Sequence, residues 1–165
     1  MNSIDKINKL SQADFIDLFG NVFEKTNWIA KKTYSLKPFR DFEELVSKML
    51  ELFETSSKEN HLKILNSHPD LAIEKKMTYD SKQEQNKSGL DQCTRDEFEE
   101  FKKLNIEYKK KFNFPFIIAV TGKDKLEILN DFRHRMSNNI DVEFKEAKDQ
   151  VKKIASLRLN KILQR

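Results

Sequence analysis

Two short stretches carry the residue types that could do chemistry: His68-Pro69-Asp70-Leu71-Ala72 and, beginning nine residues after Ala72, Ser81-Lys82-Gln83-Glu84-Gln85. An imidazole with an ordinary pKa near neutrality can both take and give a proton. A carboxylate beside it can orient or polarise a reacting hydroxyl, and an amide can hydrogen-bond an amide-like substrate. Such a set needs no metal. Pro69 disfavours a helical backbone at His68, so a preceding helix must stop there and the ring can be held at the edge of a core. Ser81, Glu84 and Gln85 stand at i, i+3 and i+4, which puts them on one helical face. The same spacing also fits Ser81 as a helix N-cap with Glu84 as its capping-box partner. A His-Pro-Asp sequence alone more often marks a structural or surface histidine, so spacing leaves both questions open.

Two polar residues fall on apolar stripes. Arg158 lies four residues beyond Ile154 and four before Ile162, aimed at the core side, where an unpaired guanidinium is costly. It needs an anionic partner, either a structural Asp or Glu or a substrate carboxylate. Asn105 interrupts the stripe Phe98, Phe101, Tyr108, Phe112 and reads as a core amide tying helices together. Metal binding is not supported: His61, His68, Asp70 and Glu84 lack ligand spacing, and Cys93 has no partner thiol. A Gly-rich phosphate loop is absent too, which argues against the common nucleotide enzymes. His134, between Arg133 and Arg135, reads as helix surface.

Helical periodicity supplies the elements that must position these residues. Phe15, Leu18, Phe19, Val22 and Phe23, behind a cap at Ser11, predict a helix over about Ser11 to Glu24. Further helices are predicted over Trp28 to Tyr34, through Leu45 to Phe53, and through Leu62 to Leu65, the last ending near His68. Thr94-Arg95-Asp96-Glu97 has the form of a capping box opening a long helix. After Gly122, one helix carries Leu126, Ile128, Leu129 and Phe132, and a final one runs from Phe144 past Ile162. Phe114-Pro115-Phe116-Ile117-Ile118-Ala119-Val120 is the one strand-like run. Lacking a second strand of comparable strength, it is expected as an extended segment buried among helices, with backbone partners other than a ladder. It either fills the core or turns some of its backbone groups to a polar ligand. The expected fold is all-α, a single-domain multi-helix bundle over residues 1–165 with this one extended core segment.

Composition bounds the rest. A chain of 165 residues with three Gly, three Pro and thirteen Phe can bury one sizeable core, which argues against disorder. The net charge of +4 comes from 31 basic and 27 acidic residues mixed along the chain, weak support for a polyanion partner. Lys109-Lys110-Lys111 reads as a solvated helix face. A single cysteine excludes an internal disulfide. No apolar run approaches the roughly 18 residues of a membrane span. The polar start Met1-Asn2-Ser3 and the end Leu163-Gln164-Arg165 carry neither a secretory signal nor a Ser-Lys-Leu-type tail. The expectation is a soluble cytoplasmic protein without membrane or nucleic-acid partners; a helical interaction module or weak nucleic-acid binder is the competing class.

Taken together, the segments resemble the 2-oxo-4-hydroxy-4-carboxy-5-ureidoimidazoline (OHCU) decarboxylases of the ureide pathway. The likeness rests on His68-Pro69-Asp70-Leu71-Ala72, Ser81 to Gln85, Gly89-Leu90, Leu104-Asn105 with Tyr108, Phe112 to Val120, and Ile154-Ala155-Ser156-Leu157-Arg158-Leu159. Phe23-Glu24, Trp28 and Pro38-Phe39 extend it toward the N-terminus. One departure is Asn113, where the family usually has Gly; Asn tolerates a left-handed backbone, so the turn can survive. The resemblance implies an all-helical, cofactor-independent carboxy-lyase that forms (S)-allantoin and CO2 in urate degradation. It assigns proton transfer to His68; Glu84 is expected as the second catalytic residue, orienting the reacting hydroxyl or His68, unless it serves only as a capping-box partner. Pro69, Ser81, Lys82, Gln83, Glu84 and Gln85 then line the substrate site with Phe116, Ile117, Ile118, Ala119 and Val120, and Arg158 faces the substrate carboxylate. It also suggests a homodimer and, without a peroxisomal tail, a bacterial-type cytoplasmic version. A cofactor-free lyase acting on another ureide is the nearest alternative.

Overall fold

Helix starts follow the side-chain oxygens that can satisfy their first N–H groups. Ser11, Asp41, Thr94 and Asp124 each accept from the backbone N–H three residues on. In the computed structural model, which describes residues 3–73 and 77–164, the helices run in the order α1 Ile4–Lys9, α2 Gln12–Phe19, α3 Asn27–Tyr34, α4 Phe42–Glu54, α5 Lys58–Asn66, α6 Tyr79–Lys87, α7 Arg95–Phe112, α8 Lys125–Arg135 and α9 Ile140–Leu163. The termini Met1-Asn2 and Arg165, used above in the reading of targeting signals, lie outside the described residues. No strand occurs among the described residues, and the fold is all-α.

These residues cluster into two compact units, one reaching up to residue 64 and resuming at 152, the other covering 65–151. In the first, α2, α3 and α4 pack around Phe15, Phe19, Ile29, Leu45, Met49 and Phe53, all essentially without exposure. Phe15 meets Phe19 and Tyr34 at ring-centroid distances of 4.6 and 5.7 Å. Helix α2 stops at Phe19, five residues short of the expected Glu24, with Gly20 as its C-cap. Val22 and Phe23 are nevertheless buried, so their spacing reflects a turn folded onto the core. That turn passes through Lys25 at φ 48°. His61 is buried as well, its Nε2–H donating to the Phe53 carbonyl at 2.7 Å.

The second unit is built around Tyr108 of α7. Its ring lies 4.5 to 5.9 Å from those of Phe112, Phe114, Phe116 and Phe132, and Phe116 stacks on Phe132 at 3.9 Å. Thr94 and Glu97 form the expected capping box, whereas Leu126 of α8 is 58% exposed and stands off the stripe assigned to it. Asn113 ends α7 at φ 63°, ψ 20°, the left-handed conformation a C-terminal turn requires. Phe114–Val120 then runs through the core as neither helix nor paired strand, every residue buried.

Candidate active site

His68 lies two residues beyond the end of α5, and its N–H donates to the Leu65 carbonyl at 3.2 Å, so the chain leaves the helix in a last tight turn before Pro69. The residue is half-buried and its Nε2 is shielded from solvent. The next residues are tied down by side chains. Lys109 Nζ donates to Asp70 Oδ2 at 2.9 Å, and Asn105 Nδ2 to the Leu71 carbonyl at 2.9 Å. Gln85 Oε1 accepts from the Ala72 N–H at 3.0 Å, and its Nε2 donates to the Asp70 carbonyl at 3.2 Å. Ala72 itself sits at φ 59°, a strained conformation for a residue with a Cβ. Two helices therefore hold the loop that carries the imidazole. Asn105 is the inter-element tie expected of it, although its Oδ1 is buried with no partner among the described residues.

In α6 the helix cap is Thr78, whose hydroxyl accepts from the Ser81 N–H. Ser81 is thus inside the helix, and the capping-box alternative for Ser81 and Glu84 does not apply. Ser81 and Gln85 are buried, Gln83 and Glu84 half-buried and Lys82 exposed. A cavity of about 560 Å³ opens beside this helix, with Ala72, Met77, Lys82, Gln85, Arg95 and Phe98 in its wall. Of the residues proposed from sequence, Lys82 and Gln85 reach it.

The Phe116 to Val120 segment finds the non-ladder partners its burial demands. Arg135 Nη1 donates to the Ile117 carbonyl at 2.6 Å, the Ala119 N–H donates to Gln150 Oε1 at 2.9 Å, and Ser88 Oγ donates to the Val120 carbonyl at 2.8 Å. Among the described residues no acceptor meets the N–H groups of Ile118 and Val120. These are donors of the kind an amide-rich ligand takes. Arg135 is buried and ion-paired to Glu143 at 2.8 Å, while Tyr108 donates to the same carboxylate at 2.9 Å. Burial pushes the Tyr108 hydroxyl well above its usual pKa, and the neighbouring Glu143 adds to this. Burial alone would lower Arg135, but its hydrogen bonds and charge contact with Glu143 leave it above the ordinary value. It is the neutral phenol and the ionised guanidinium that this network holds.

Arg158 belongs to the first unit. It is buried as its place on the stripe predicts, and Nη2 donates to Glu24 Oε2 while Nη1 donates to the Asn21 carbonyl, both at 2.9 Å. Its structural anion is Glu24, itself 0% exposed. Arg135, Glu143, Gln150 and Ser88 went unremarked in the sequence. Two of them carried a readable signal: Arg135 lies three residues after Phe132 and Glu143 four before Ala147, charges on apolar stripes just as Arg158 is.

A family model described as OHCU decarboxylase matches residues 8–160, nearly the whole chain. The chain belongs to the OHCU decarboxylase family. It is 36% identical over 157 residues to the 2-oxo-4-hydroxy-4-carboxy-5-ureidoimidazoline decarboxylase of Haloferax volcanii, covering 95% of this chain and 94% of that one. It is 41% identical over 162 residues to the uric acid degradation bifunctional protein of Bacillus sp. (strain TB-90), covering 98% of this chain but only 32% of that protein. A crystal structure of (S)-allantoin synthase superimposes with a TM-score of 0.79 at 25% identity, covering 98% of this chain and 54% of that one.

Proposed function

We propose that this chain decarboxylates OHCU to (S)-allantoin and CO2 in urate degradation, without a cofactor. The observation that carries the reading is the family match over residues 8–160, together with a decarboxylase of nearly the same length. The chain spans about a third of the longer Bacillus protein, 32% of its length.

Decarboxylation needs a destination for the electron pair of the breaking C–C bond, which many enzymes supply with a cofactor. This substrate carries its own. As CO2 leaves the quaternary carbon, the pair forms a bond to the neighbouring ring carbon, and the C=N there opens onto nitrogen, which takes a proton. The resulting enol loses its hydroxyl proton and gains one at the neighbouring carbon, giving allantoin. The protein must hold the carboxylate, manage the hydroxyl proton and protonate one face.

In this reading His68 moves those protons and Glu84 orients the hydroxyl or the imidazole. Arg158, its plane fixed by Glu24, binds the carboxylate. The backbone of Ile118 and Val120 takes the ureido and ring amides, while Gln85 sets the His68 loop through Ala72 and Asp70. Pro69, Ser81, Lys82, Gln83, Phe116, Ile117 and Ala119 complete the wall. A cytoplasmic homodimer with a small-molecule substrate and no nucleic acid is the accompanying expectation; no helix among the described residues is long and apolar enough to cross a membrane. The test is to add the purified chain to freshly generated OHCU and follow its loss and CO2 release. Loss at the spontaneous rate would rule the reading out.

A further inference from the structure

The backbone assigned above to amide recognition is gripped from its other groups by a buried charge pair. Arg135 Nε donates to Glu143 Oε1 and Oε2 at 2.9 and 3.1 Å, and Nη2 donates to Oε2 at 2.8 Å. The remaining terminal nitrogen, Nη1, donates to the Ile117 carbonyl at 2.6 Å. The guanidinium carbon lies 4.3 Å from the Phe116 ring centroid, and the Tyr108 hydroxyl completes the carboxylate's shell. A buried ion pair is a poor way to gain stability, because apolar residues of similar volume often serve as well. What this one supplies is direction. The two-point contact with Glu143 fixes the guanidinium plane, and a fixed plane leaves Nη1–H one line along which to hold a carbonyl.

We propose that Arg135 and Glu143 are positioning residues: through Ile117 they set the Ile118 and Val120 N–H groups where substrate and product amides meet them. This inference rests on the proposed decarboxylation. Gln150 on the Ala119 N–H and Ser88 on the Val120 carbonyl are secondary anchors of the same segment. Neither Arg135 nor Glu143 touches the substrate.

Arg135→Ala alone would strand a buried carboxylate and destabilise the fold, which would mask any effect on positioning. The test therefore uses Arg135→Lys, which keeps the charge and loses the fork, and the double variant Arg135→Met with Glu143→Leu, which removes both charges together. Each is compared with the parent by thermal melting, by kinetics on freshly generated OHCU, and by titration with (S)-allantoin. The double variant leaves the Tyr108 hydroxyl and the Ile117 carbonyl without these partners, so it is expected to melt below the parent while remaining folded at the assay temperature. Displacement by about an ångström typically costs up to roughly 10²-fold, so KM and the Kd for (S)-allantoin should rise by about 10- to 10²-fold. The pH profile of kcat should stay that of the parent, because the proton carrier is untouched. Folded variants with parental KM and allantoin affinity overturn the inference, as does a loss confined to kcat. Failure of both variants to fold also overturns it, since the pair would then be a folding element. A parent chain without decarboxylase activity defeats the proposed function and this inference together, whereas an active parent with matching variants defeats the inference alone.

Discussion

At the residue scale, His68→Asn is the sharpest substitution, because it removes the imidazole while leaving the ties at Asp70, Leu71 and Ala72 in place. General acid–base catalysis is worth about 10² to 10⁴-fold, so kcat should fall by at least that order with little change in melting temperature. A folded variant with near-parental turnover would take proton transfer away from His68. Arg158 has two tasks, an ion pair with Glu24 and the proposed hold on the carboxylate. Arg158→Lys keeps a cation for Glu24 but loses the fork, and should raise KM while the fold persists; an unchanged KM counts against the assignment. Arg158→Ala should cost about 3–5 kcal/mol in a denaturant titration, because it leaves a buried carboxylate uncompensated. Arg158 stood out in the sequence because a charge on an apolar stripe demands a partner. The identity of that partner did not, since Glu24 lies 134 residues away and nothing local couples the two positions.

At the scale of elements, the caps were the most legible features and helix ends the least. Thr94 and Glu97 could be read because capping is decided within four residues. The end of α2 could not, because Val22 and Phe23 continue a helical spacing after the backbone has left the helix. Thr78 rather than Ser81 caps α6, a choice between neighbouring hydroxyls that spacing alone does not make. Asn113 sits at φ 63°. Asn113→Gly should leave the melting temperature unchanged or slightly raised. Asn113→Ala should lose about 1 kcal/mol, a drop of about 2–4 °C for a chain of this size. The capping-box carboxylate of Glu97 also gives a pH signature. Its hydrogen bond from Lys125, with that from the Thr94 backbone, holds its pKa down to about 2. A carboxyl whose folded pKa is depressed contributes stability above its unfolded pKa and loses it as pH falls through the folded one. Melting temperature should therefore fall between about pH 5 and pH 2, and less steeply in Glu97→Gln, which keeps the capping hydrogen bond without the charge. Parallel curves for parent and variant would show that this pair does not contribute.

At the scale of the whole molecule, an all-helical fold was legible because amphipathic periodicity repeats through most of the chain. The division into two compact units was not, since one of them is assembled from residues up to 64 and from 152 onward, with no linker between. The irregular course of Phe114–Val120 was readable from its isolation as a strand-like run, but its anchors were not, because Arg135, Gln150 and Ser88 come from three different helical regions. The decisive measurement is made on the full chain. Freshly generated OHCU, mixed with the purified protein, is followed by circular dichroism for enantiomer-selective allantoin formation against the spontaneous background. The expected result is a rapid rise of the (S)-allantoin signal with the parent chain and none above background with His68→Asn. Racemic allantoin, formed at the spontaneous rate in the presence of the parent chain, would contradict the proposed function.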